Sequence, residues 1–191
     1  NASLRSAYAL EYGNVRLLFL SRQSLVMTIP ESAERAFDAH DAYDRDGDEY
    51  ELTTITFESR VKASETDDWA HEYTVVVRAP MLSSVVDGEV GPDLEAGWFD
   101  TLALRMEDAP DAIRDNLELD RLDVHEELGD AVVVFEFTWG NADRAPAVAK
   151  ALAEYVEGTY MEGVVPGFDY TDPVDSLLAS ASQGDGTGTP L

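Results

Sequence analysis

The chain has 191 residues, no cysteine and a formal net charge of −26. The lack of cysteine excludes disulfides, thiol nucleophiles and cysteine-ligated zinc; at this length a single domain buries roughly 70% of its unfolded surface and needs no such staple. No apolar run approaches the ~20 residues of a membrane-spanning helix.

Residues 1–26 stand apart from the rest. They carry Arg5, Arg16 and Arg22 against Glu11, a net of +2, which leaves −28 on the remainder. Asn1-Ala2 reads as the scar of a cleaved tag, Met27 as a natural start, and 3–26 as upstream translated sequence or a poorly integrated extension. A secretory signal is the rival reading. It requires ~7–15 contiguous apolar residues, and Leu17-Leu-Phe-Leu20 supplies four. From 27 to 170 a single domain is expected.

Thr28-Ile-Pro-Glu31 has the capping-box pattern with proline in the first turn. Ile29, Ala33, Ala36, Phe37, His40 and Tyr43 then recur at helical spacing, predicting a helix over 29–43. The stretch Asp41-Ala-Tyr-Asp-Arg-Asp-Gly-Asp-Glu-Tyr-Glu-Leu52 invites comparison with a calcium loop. With Gly47 as position 6, Asp44 and Asp46 fall at positions 3 and 5. Position 1 becomes Ala42 and position 12 becomes Thr53, so two strong ligands are missing, the bidentate glutamate among them. Asp-Gly between two periodic segments is a turn signal in its own right, and a solvated turn is expected.

Strands are predicted over 51–63, with Ile55, Phe57, Val61 and Ala63 facing inward, and over 71–79, with Tyr73, Val75 and Val77 inward and Pro80 ending the strand. Met81, Leu82, Val85 and Val86 fit one or two helical turns. Gly91-Pro92-Asp93 opens a second helix with Leu94, Trp98, Leu102 and Met106 on its face; Leu102, Leu104 and Met106 fit strand alternation equally, and both readings stand. Strands over about 118–127 and 131–139 follow, joined by Gly129-Asp130. The second is apolar on both faces for half its length and is expected to be central. Asp143 is placed to cap a last helix, 144–162, with the stripe Val148, Leu152, Tyr155, Val156 and Tyr160. From Thr171 the composition turns to Ser, Gly, Asp and Pro; Leu177 and Leu178 are expected to dock one turn, and the tail to 191 to be largely disordered. The order α-β-β-α-β-β-α predicts an α+β domain, an antiparallel four-stranded sheet with helices packed on one face.

The charge does not signal disorder, because 45% of the residues are apolar and they fall in periodic blocks. Of 13 basic residues 11 are Arg and two are Lys, Lys62 and Lys150. Abundant carboxylates with almost no lysine suit molar salt. There the Debye length is about 3 Å and carboxylate repulsion is screened. A high-salt cytoplasm is the expected setting.

Motifs for chemistry are sparse. His40 lies on an apolar helix face, and His71 and His125 in strands; neither His-x-x-x-His nor His-Glu-x-x-His occurs. Gly-x-Ser-x-Gly is absent. Carboxylate pairs such as Glu126 and Glu136 carry no information in so acidic a chain. No catalytic, cofactor or metal residue is assigned. A basic surface for nucleic acid is missing, so neither nucleic acid nor membrane is expected as a partner. The glycine-rich segment 157–170 follows a helix and is rich in acid, unlike a phosphate cradle. It reads as a helix end and a loop whose Tyr160, Phe168 and Tyr170 cover the sheet edge, or as a ligand or partner groove.

Three stretches, PESAERAFDAHDAY (30–43), VGPDLEAGWFDTL (90–102) and FTWGNADRAPAVAKALAEYVEGTYMEGVVPGFDY (137–170), resemble a family of small uncharacterised proteins from haloarchaea. The resemblance spans about Met27 to Leu178. It implies a haloarchaeal cytosolic domain of unknown function and brings no site residue with it. The element order is also similar to that of type III secretion chaperones, in topology alone. Two functions are carried forward. One is a non-catalytic binding or self-associating module using Met81, Leu82, Val85, Val86 and the aromatics of 157–170. The other is an enzyme or small-ligand-binding protein with a pocket near Trp98, Trp139, Tyr160 and Phe168, at the aromatic C-terminal helix and loop.

Overall fold

The structure is a computed structural model and describes residues 29–113 and 116–184. Met27 and Thr28 of the expected capping box, the segment before them and the tail after 184 lie outside the described residues. In chain order the elements are α1 (Glu31–Asp38), β1 (Tyr43–Asp46), β2 (Glu49–Leu52), β3 (Glu58–Glu65), β4 (His71–Pro80), α2 (Leu82–Val85), α3 (Pro92–Met106), β5 (Arg121–Glu127), β6 (Asp130–Trp139), α4 (Ala145–Glu162) and α5 (Val174–Gly184). One antiparallel sheet has the order β1-β2-β3-β4-β6-β5.

The α+β class holds, but the sheet has six strands where periodicity predicted four. The extra pair is the hairpin β1–β2. Its turn places Gly47 at φ +67°, and buried Tyr50 and Leu52 alternate with Glu49 and Glu51. The predicted helix over 29–43 stops at Asp38 because the next residues join the sheet. Thr53 N donates to Ala42 O at 2.9 Å, and Tyr43 starts β1 with its ring edge-on to Phe37 at 4.9 Å. The predicted strand 51–63 is interrupted between β2 and β3. There the Glu157 carboxylate accepts from the backbone N–H of Thr56 at 2.5 Å and Phe57 at 3.3 Å.

The core forms on one face of the sheet. Tyr73, Val75, Val77 and Ala79 of β4 stand opposite Phe137, Phe135, Val133 and Ala131 of β6, and all eight are fully buried. Helix α4 covers them. Of its predicted stripe, Val148, Leu152, Val156 and Tyr160 are buried and Tyr155 is half-buried, and Ala145, Ala149 and Ala153 let it approach closely. No side chain caps it, so the expected Asp143 cap is not formed. Segment 92–106 is helical: Trp98, Leu102 and Met106 are buried at four-residue steps, while Leu104, which strand alternation would bury with them, is 64% exposed.

The other face is a grid of charge. Arg60 meets Asp46 at 2.7 Å and Glu58 at 3.5 Å; Lys62 meets Asp48 at 3.0 Å; Arg78 joins Glu127; Arg121 meets Glu136 at 3.2 Å and Asp123 at 3.5 Å. Pairing holds the carboxyls of Asp48 and Glu127 below their usual range, the hydrogen bonds from Lys62 and Arg78 being the main causes. Val132 and Val134 of β6 share this face, so the strand is apolar on both sides, as expected. The edge strands β1 and β5 are rich in charge, which discourages edge-to-edge pairing.

The domain continues past Tyr170, where composition suggested a disordered tail. Thr171 N donates to Val85 O at 2.7 Å, Val174 is fully buried, and Leu177 and Leu178 of α5 dock as expected.

Four core tyrosines make the fold sensitive to base. Burial pushes the phenols of Tyr43, Tyr50, Tyr73 and Tyr160 up, that of Tyr73 to about 12. An unfolded tyrosine ionises near pH 10. The stability from these raised values is therefore whole below pH 10 and is lost as pH climbs through the folded values. In a base titration, tyrosinate absorbance from these four should rise together with the loss of near-ultraviolet circular dichroism. Smooth ionisation of all eight tyrosines near pH 10, with the dichroism intact, would contradict this packing.

Candidate functional site

Helix α3 meets the C-terminal turn of α4 with small residues on both sides. On α3 these are Gly97 and Thr101; on α4 and its cap they are Thr159 and Gly163. The gap is a pocket of about 340 Å³, walled by Leu94, Trp98, Leu102 and Val165, with Asp93 and Arg105 as its titratable lining residues. Size and lining fit a small-molecule site, an apolar hollow with few polar groups.

Trp98 forms the firm wall. Its ring stands edge-on to Tyr160 at 5.3 Å, and Tyr160 stands edge-on to Phe57 at 4.8 Å. The indole Nε1 lies beside Gly163, where an added Cβ would sit 3.3 Å from it. Glycine there leaves the side of a fixed hydrogen-bond donor uncovered. Thr159 is 4% exposed and lines the same hollow. At the mouth, Arg105 is joined to Glu162, whose hydrogen bond raises the guanidinium's affinity for its proton, and the Arg105 carbonyl accepts from Tyr155 at 3.1 Å. A shallower hollow of about 380 Å³ lies between α3 and β5, lined by Ala103, Leu104, Leu122 and Val124 with Asp100 and Glu107.

The residues expected to form one surface lie in separate places. Met81, Leu82, Val85 and Val86 are buried in the domain's own core. Residues 169–171 cover them: Tyr170 bridges Val86, and Asp87 N donates to Asp169 O at 2.8 Å. Trp98 lines the pocket, and Tyr160 is fully buried behind it. The Tyr170 hydroxyl donates to Val165 O at 3.2 Å and accepts from Val165 N at 2.9 Å, bracing the loop behind Val165. Phe168 is half-buried in the same loop. Trp139 stands elsewhere, at the end of β6 opposite His71.

That end of the sheet holds a second polar group. Ser32 Oγ and His71 Nε2 are 2.6 Å apart. Nearby on the same face, His71 Nδ1, the Tyr73 hydroxyl and Trp139 Nε1 are buried without hydrogen-bond partners among the described residues. His71 falls in step with inward Tyr73, Val75 and Val77 of the predicted strand 71–79, whereas Ser32, 39 residues away, carries no local signal.

The acidic stretch 41–52 is the β1–β2 hairpin, the turn its Asp-Gly step implied. Four of its carboxylates are divided between two cations, Asp46 and Glu51 with Arg60 at 2.7 and 3.9 Å, and Asp48 and Glu49 with Lys62 at 3.0 and 3.5 Å.

A family model described as a family of unknown function (DUF5813) matches residues 38–180. The match takes in all of the pocket residues and His71; Ser32 precedes it. No curated protein and no solved structure gives a match.

Proposed function

The chain belongs to DUF5813, a family of unknown function, so its activity has to be read from its own geometry, and we propose that it is a binding domain that holds a compact apolar ligand bearing a carbonyl-type acceptor. The observation that carries this reading is the α3–α4 pocket, apolar on its walls, with the Trp98 indole nitrogen beside Gly163 and Thr159 in its lining. The donor suits a ligand acceptor, and the cation at the mouth is already engaged by Glu162, which favours a neutral ligand over an anion. Met81, Leu82, Val85 and Val86 are buried, and the weight of this reading rests on the pocket. The setting in this account is a cytoplasm of molar salt, supported by the acid-rich, lysine-poor composition.

The test uses 6-propionyl-2-dimethylaminonaphthalene, a neutral aromatic ketone whose emission reports polarity. In 2 M KCl the protein should bind it saturably. Gly97→Phe should weaken binding at least ~10-fold, the cost of losing ~1.4 kcal/mol of pocket contacts. Gly97 lines the pocket at an exposed position of α3, and a Cβ there meets nothing within 4 Å, so the helix backbone accepts a side chain; a thermal melt of the variant checks its fold. Equal binding by the parent and Gly97→Phe would show that the dye sits elsewhere and overturn the assignment.

A further inference from the structure

We propose that Ser32 and His71 form a nucleophile–base pair that cleaves small neutral carboxylic esters, at a site separate from the α3–α4 pocket. The 2.6 Å separation of Ser32 Oγ and His71 Nε2 is the distance at which a base takes a hydroxyl proton. Ser32 is the second residue of α1. A helix leaves the N–H groups of its first turn unused by its own bonds and carries partial positive charge there, which suits an oxyanion. The two carboxylates of that turn are drawn away from it, Glu31 to Arg35 at 3.3 Å and Glu34 to Arg45.

His71 is positioned by packing. It lies opposite Trp139 in the β4–β6 ladder and edge-on to Tyr73 at 6.4 Å. In the tautomer that lets Nε2 accept from Ser32, the proton sits on Nδ1, which is buried. No carboxylate accepts from that nitrogen among the described residues, so the pair lacks the orienting third member of a triad and should be a slow catalyst. Trp69 stands two residues before His71 in the chain. Trp69 is 82% exposed and seated over Gly140, where a Cβ would overlap its ring. The acidity of the chain disfavours anionic substrates, leaving neutral esters.

In the reaction, Ser32 Oγ bonds to the carbonyl carbon as its proton passes to His71 Nε2. The C–O bond to the alcohol breaks as His71 returns that proton to the leaving oxygen. Water then adds to the acyl-serine, its proton going to His71. The carboxylic acid departs and Ser32 Oγ regains its proton.

The test is made on the full chain in 2 M KCl with p-nitrophenyl butyrate and a fluorophosphonate. The fluorophosphonate should add once, at Ser32, about 100-fold faster than at any other serine, and His71→Gln should slow labelling and hydrolysis by about the same factor. Ser32→Ala should abolish both, and Ser180→Ala, an exposed residue of α5, should change neither. Labelling of folded protein spread evenly over its serines, or hydrolysis unchanged in Ser32→Ala, would overturn the proposal. If His71→Gln fails to fold, Ser32→Ala decides alone, since it removes one oxygen from a half-buried position.

Discussion

Raising KCl from 0.1 M to 2 M is expected to raise the melting temperature by roughly 10–20 °C, about 5 kcal/mol at two to four degrees per kcal/mol. The cause is the charge imbalance, 39 acidic residues against 13 basic. The sheet's outer face shows how far the fold goes to manage it: Arg60 alone lies within 4 Å of Asp46, Glu51 and Glu58. One cation for several carboxylates leaves a residue of like charge on a compact body. At low ionic strength that repulsion acts across the domain; near 1 M, with a Debye length of about 3 Å, it is screened. Melts followed by circular dichroism at stepped KCl would measure the rise. A midpoint flat across the range would remove the basis for a high-salt setting.

The second large effect concerns Tyr160. Tyr160→Ala is expected to cost about 3–5 kcal/mol, the range for truncating a fully buried aromatic. Tyr160→Phe should be neutral or stabilise by up to about 1 kcal/mol. The ring is fully buried between Phe57 and Trp98, so alanine leaves a cavity behind the pocket's firm wall. The hydroxyl is buried with no partner among the described residues, and removing such a group relieves an uncompensated desolvation. Denaturant curves in 2 M KCl, compared at equal slope, would show the contrast. Similar losses for both variants would mean that the hydroxyl has a partner that this packing does not supply.

Where burial was written in periodicity, the fold was legible. Strands β4 and β6 follow from Tyr73, Val75 and Val77 and from a run apolar on both faces; α4 follows from its four-residue stripe. The β1–β2 hairpin was hidden because its outward residues are nearly all charged and its inward set is sparse: Tyr43 on one strand, Tyr50 and Leu52 on the other. Met81, Leu82, Val85 and Val86 were rightly read as apolar. What covers them, residues 169–171, is a pairing across more than eighty positions that local pattern does not carry.

The same limit applied to the sites. Trp98, Tyr160 and the glycines of 157–170 were visible as unusual, but their meeting with Gly97 and Thr101 on α3 depends on how two helices cross. The pairing of Ser32 with His71 depends on α1 lying against the start of β4. Neither leaves a spacing in the sequence.

The central claim, a ligand pocket at Trp98, can be tested through the chain's three tryptophans, which report on different places. Trp98 lines the pocket, Trp139 lies at the sheet end beside His71, and Trp69 is open to solvent. With 5-fluorotryptophan incorporated and the naphthyl ketone titrated in 2 M KCl, the account predicts a saturable fluorine shift at Trp98 and none at Trp69 or Trp139. A saturable shift confined to Trp69 or Trp139, or no saturable shift at Trp98, would contradict it.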